Sequence, residues 1–137
     1  MPVSIGPKIG IDGEKQYRDE LNRIIQQAKT LDSEMKAVTS AFDENTSAEK
    51  KAEAQTKVLT EQIENQKAKV QALQEMVEKS ANATGENSTA TLKWKEALNN
   101  AQTELNNTER NLANVKNGVD ETGDSMKDGE KKALSFG

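Results

Sequence analysis

With neither histidine nor cysteine in its 137 residues, this sequence can do chemistry only through carboxylates, hydroxyls and lysines. The usual general base near neutral pH, the thiol nucleophile and the commonest metal ligands are all missing. Glu61, Glu64, Glu75 and Glu78 are spaced to pair along a helix, and paired carboxylates can divide acid and base roles. A glycosidase also needs an aromatic-rich cleft, and one Trp, one Tyr and two Phe do not build one. These glutamates read as a charged outer face. Asp120, Asp124 and Asp128 beside Gly129 faintly follow a calcium loop, but Met126 falls on a ligand position and Ser135 stands where the bidentate Glu belongs. They read as a solvated acidic linker.

Gly6-Pro7-Lys8-Ile9-Gly10 and Gly10-Ile11-Asp12-Gly13 lack the Gly-Lys-Ser/Thr of a phosphate loop. Trp94 opens an apolar stripe, so it is expected in a core rather than against a ligand. Four Asn-x-Ser/Thr triplets, starting at Asn45, Asn82, Asn87 and Asn106, are coincidences of an Asn- and Thr-rich chain. No cofactor, metal or enzymatic activity is expected.

The elements that carry these residues must manage with little apolar surface. Hydrophobic residues make up 33% of the chain and aromatics 3%, too little to offset the entropy of ordering it unless apolar faces are shared with neighbouring segments or another chain. The net charge of −4 comes from interspersed acids and bases, with no basic cluster to follow phosphates, so direct nucleic-acid contact is not expected. No apolar run approaches the ~18 residues of a membrane span, and the first residues do not have the form of a signal peptide. The expectation is a soluble chain made in the cytoplasm, without membrane contact.

Residues 1–12 carry both prolines, Pro2 and Pro7, and form an N-terminal arm. Val3, Ile5, Ile9 and Ile11 would share one face if extended, and an irregular arm fits as well. Asp12 can cap a helix that starts near Gly13 or Glu14 and runs to residue 42. Its apolar stripe is Tyr17, Leu21, Ile24, Ala28, Leu31, Met35, Val38 and Phe42, spaced 4-3-4-3-4-3-4. That period of 3.5 is the coiled-coil value. Glu14 with Arg18 and Asp19 with Arg23 form supporting i,i+4 pairs.

Thr46-Ser47-Ala48-Glu49 has the form of a capping box and opens a second helix over about 47–81. Its stripe is Ala52, Thr56, Leu59, Ile63, Gln66, Val70, Leu73 and Val77, with Thr56 and Gln66 as polar residues that fix register. The stretch from Ser80 to Asn87 breaks the pattern, and Gly85 suits a left-handed turn. Ser88 or Thr89 caps a third helix over 89–117. It carries Trp94, Leu98, Ala101, Leu105, Thr108, Leu112, Val115 and Val119, with Met126 a further candidate. Residues 118–137 read as a glycine-rich linker whose last residues, Ala133 to Gly137, stop as if cut. The fold class is therefore all-α: long coiled-coil helices, as a three-helix antiparallel bundle or an extended rod, behind a short irregular or extended arm.

Residues Ser4 to Arg18, followed by Leu21 to Phe42, resemble the N-terminus of tail tape measure proteins of long-tailed phages and prophages of Gram-positive bacteria. So does Thr91-Leu92-Lys93-Trp94 with the helix behind it. The likeness covers nearly the whole chain and is most specific over 4–42. It implies a multicopy helical protein in the lumen of the virion tail tube, present in the host cytoplasm during assembly, that sets tail length at about 1.5 Å per helical residue. It also implies self-association through the stripes and contact with other tail proteins, such as the tube subunit and an assembly chaperone. The arm from Val3 to Ile11 would dock on a neighbouring tail protein. Family members run to many hundreds of residues, so this chain reads as either an N-terminal piece of one or a degraded relative, and by itself it could not measure a tail. The other reading is a small helical-bundle adaptor or a secreted helical-hairpin binding module, although the Trp-x-Gly turn of such hairpins is missing because Lys95 and Glu96 follow Trp94.

Overall fold

The computed structural model describes residues 7–117. The expectations for Val3, Ile5, Val119, the Asp120-Asp124-Asp128 run, Met126, and the linker and its apolar end fall outside them. The described residues form three helices and no strand: α1 (Glu14–Ser40), α2 (Ala48–Thr84) and α3 (Thr89–Asn117). They follow a short arm without regular structure.

The helix ends depart from the sequence expectation in ways local bonding explains. The cap position of α1 is filled by Gly13, at φ +80°, and not by Asp12; the Gly13 carbonyl takes the first helical bond, from the Tyr17 N–H at 3.1 Å. α1 stops at Ser40, two residues short of Phe42. The Thr39 hydroxyl donates back to the Met35 carbonyl and the Ser40 hydroxyl to the Ala37 carbonyl, which weakens the last turn. The Ala41 and Phe42 N–H groups then close tight i−3 bonds.

At the start of α2 the cap is Ser47, whose Oγ accepts the Lys50 N–H at 3.1 Å, so the expected Thr46 to Glu49 box is displaced by one residue. Thr46 instead closes a turn with Asp43: its hydroxyl accepts the Asp43 N–H and its own N–H bonds the Asp43 carbonyl. α2 continues past residue 81 to Thr84, where the hydroxyl bonds the Ser80 carbonyl at 2.8 Å. Gly85, at φ +103°, then ends it. Ser88 caps α3 by accepting the Thr91 N–H at 3.1 Å.

Every helix contributes to each of two compact units. The first comprises residues 7–29 and 64–105. Its core is Leu21 and Ile24 from α1, Val70, Ala72, Leu73 and Met76 from α2, and Trp94 and Ala101 from α3. Lys69 meets Glu104 and Ser80 meets Thr91, so α2 and α3 run antiparallel here. The Thr91 hydroxyl donates to the Gly85 carbonyl at 2.7 Å, which leaves Ser80 to donate to Thr91 Oγ1 at 2.8 Å. Both side chains are fully buried, and this bonding is what lets hydroxyls sit in the interior.

The second unit comprises residues 30–63 and 106–117. Ala52, Leu59 and Val115 form its core cluster, with Met35 and Leu112 packed against it. The Gln62 amide donates to Asp32 at 3.1 Å and the Lys51 ammonium lies 6.0 Å from the Phe42 ring centre, so α1 and α2 are antiparallel. Within each unit, segments of all three helices pack together in the manner of a three-helix bundle.

α2 corrects the one-stripe reading. Besides its heptad stripe it buries Gln55, Val58, Asn65, Ala72 and Met76. A helix with a neighbour on either side must cover two stripes, whereas a heptad register finds one. The polar register residue follows that second stripe: Asn65, 9% exposed, donates from Nδ2 to the Ile24 carbonyl of α1 at 3.0 Å. Thr56 and Gln66, expected in that role, are half-buried, and the Gln66 Oε1 meets no hydrogen-bond partner.

Candidate functional site

A constellation of charged, aromatic and backbone groups in the first unit lies where the arm meets α1 and α3. Glu14 sits in the first turn of α1, and its carboxylate turns back to accept the Ile9 N–H at 2.8 Å and the Gly10 N–H at 2.7 Å. One turn on, Arg18 donates from Nε to the same carboxylate at 3.1 Å, and from Nη2 to the Pro7 carbonyl. The Trp94 indole N–H, on α3, donates to that carbonyl at 3.2 Å. The Arg18 guanidinium stands 5.5 Å from the Trp94 ring centre, within cation–π range. One backbone oxygen of the arm therefore ties two helices, and one carboxylate ties the arm to its own helix.

The electrostatics favour the charged form of Glu14. Burial works to raise its pKa, but the two backbone N–H bonds and the bond and charge of Arg18 outweigh it and hold the carboxyl below its ordinary value of 4.5. The side chains of Arg18 and Glu14 are 18% and 12% exposed, so this pair is shielded more than a surface ion pair. Asp19 pairs with Lys15 at 2.9 Å and not with Arg23. Cations one turn to either side compete for that exposed carboxylate.

No protein-family model matches the chain, and no curated protein or solved structure matches it either.

The seventeen stripe residues on which helix contact was expected to rest all lie at least partly inside. Leu21, Ile24, Leu59, Ile63, Val70, Leu73, Trp94 and Val115 are buried; Tyr17, Leu31, Met35, Val38, Phe42, Val77, Leu98, Leu105 and Leu112 are half-buried. All but Leu31, Val38, Phe42 and Ile63 belong to or pack against one of the two core clusters, and they form no single constellation. The arm clasp was missed as a site because its partners are far apart in sequence: Pro7 and Trp94 are separated by 87 positions. The available signal is the Glu14 to Arg18 pair standing next to a proline- and glycine-rich stretch, since its i,i+4 spacing by itself implies only helix support.

Glu61, Glu64, Glu75 and Glu78 are exposed. No three acidic side chains converge among the described residues to hold a metal ion, and no described helix is long and apolar enough to cross a membrane. The second unit has a shallow groove of about 460 Å³ between α1 and α2, floored by Ala37, Val38, Ala54 and Val58 and edged by Lys57 and Glu61. The sole large hydrophobic exposed among the described residues is Leu92.

Proposed function

We propose that this chain is a structural, non-catalytic helical module: the N-terminal part of a phage tail tape measure protein, acting in the lumen of the tail tube and in the host cytoplasm during assembly. The observation that supports this reading joins its two sequence clues. The stretches that resemble the family, residues 4–42 and 91–94, meet in the fold through Pro7, Arg18 and Trp94. Pro7 and Arg18, which no apolar repeat requires, thus share one contact with Trp94 of the α3 stripe. The proposal keeps the tube subunit, an assembly chaperone and further copies of the chain as partners.

The packing changes how such partners would be met. The stripes are buried or half-buried inside the chain, so contact with sister copies would use surfaces outside them, such as the polar outer faces, the α1–α2 groove or the residues before 7 and after 117, unless the helices reopen. The test is the composition of purified tails from the source prophage. Peptides of this chain at several copies per tail are expected, with tail genes flanking its reading frame. Tails that form at normal length and lack the chain would overturn the proposal. A second reading, a self-contained helical-bundle adaptor, is favoured by the same closed stripes. A chain that sediments as a monomer and is absent from tails would select it.

A further inference from the structure

The arm is held by few bonds, and they are of a different kind from those that hold the helices. Between Pro7 and Gly13, only Ile9 packs on the apolar core of the first unit. The other ties are directional: the Pro7 carbonyl to Arg18 and Trp94, and the Ile9 and Gly10 N–H groups to Glu14. Gly13 itself belongs to α1 as its cap, its carbonyl accepting the Tyr17 N–H at 3.1 Å; short of it, one backbone bond, from the Glu14 N–H to the Ile11 carbonyl at 3.2 Å, joins the stretch to the start of α1. Breaking all of these leaves the helical ladders of α1, α2 and α3 intact. The stretch contains one glycine with positive φ, Gly10 at +77°, and ends at another, Gly13 at +80°, where the chain direction is set by conformations that other residues rarely adopt.

We propose that residues 7–12 form a detachable strap, clasped by the Glu14 carboxylate, whose release uncovers the Trp94 indole while the three helices stay folded. Segments with few buried apolar contacts open at lower free energy than a packed core, so the strap is the first part of this unit to open. Opening removes the acceptor of the Trp94 N–H and one acceptor of the Arg18 guanidinium together, because both bond the same Pro7 oxygen. An event that engages the chain upstream of Pro7 is therefore felt first at Trp94, on α3.

Trp94 is the one tryptophan of the chain, so its indole N–H gives a single, assignable signal whose hydrogen exchange reports the open population. The experiment compares the full chain with Glu14→Gln and Gly10→Ala, using the Leu73 and Met76 backbone amides as reporters of global opening. Glu14→Gln keeps the shape and removes the charge, and indole exchange should accelerate about tenfold. At Gly10 an added Cβ meets nothing within 4 Å, so Gly10→Ala penalises only the positive φ, and indole exchange should accelerate about fivefold. In both variants the Leu73 and Met76 amides should stay near their wild-type rates. An unchanged indole rate in either variant, or an acceleration in step with Leu73 and Met76, overturns the strap.

Discussion

Exchanging the Asn65 amide for a carboxylate tests how α1 is held in register against α2. Asn65→Asp alters no volume, so no cavity contributes. It replaces an N–H donor that sits 3.0 Å from the Ile24 carbonyl oxygen and 3.4 Å from the Gln27 Oε1 with an acceptor facing acceptors. The lost bond is worth about 1 kcal/mol, and leaving a charge unpaired at a site 9% exposed adds about 1–3 kcal/mol. Together these lower the melting temperature by roughly 10–20 °C at pH 7. The assay is thermal unfolding followed by helical circular dichroism, with Asn99→Asp on an exposed face of α3 as the charge control. Burial lifts the new carboxyl above the usual Asp range, and once protonated it can again donate to Ile24. The deficit relative to wild type should therefore shrink as the pH is lowered. A variant that melts within about 2 °C of wild type at pH 7, or a deficit indifferent to acid, would refute the register role assigned to Asn65.

Leu21→Ala removes a fully buried side chain of the first core and should lower the urea-unfolding free energy by about 2–5 kcal/mol. Leu92→Ala, at a side chain 50% exposed, should change it by less than about 0.5 kcal/mol, and equal losses at the two sites would contradict the burial pattern. Ser47→Ala should cost about 1 kcal/mol through the lost α2 cap; amide exchange at Lys50 should accelerate in that variant, and an unchanged Lys50 amide would put the cap elsewhere. Because the pKa of Glu14 is depressed in the fold, its hold on the arm is fully present above 4.5 and is lost as the pH falls through its lower folded value. Trp94 indole exchange, corrected for the intrinsic pH dependence, should therefore rise on acidification in wild type, and the same rise in Glu14→Gln would remove Glu14 from the explanation.

Much of the architecture was legible in the chain because it rests on local rules. The 4-3 spacing from Tyr17 to Phe42 requires a helix with one covered face, and Gly85 at φ +103° stops α2 in the turn where a left-handed residue was expected. The caps were legible to within a residue, with Ser47 and Gly13 serving in place of Thr46 and Asp12. Hydroxyls and carboxylates at adjacent positions compete for the same N–H groups, and the turn leading in decides between them.

Composition alone removed histidine and thiol chemistry, and the period of the apolar residues alone required three helices. The pairing of those helices needed the third dimension. That α2 covers two stripes follows from its having two neighbours, so Val58, Asn65, Ala72 and Met76 are interior residues only in context. Likewise, Glu14 and Arg18 look like an ordinary surface pair until the fold brings the Pro7 carbonyl and the Trp94 indole to them. A local pattern encodes which face of a helix is apolar. Which segments meet across 87 positions is decided by packing, because the free energy of that contact depends on every element between them.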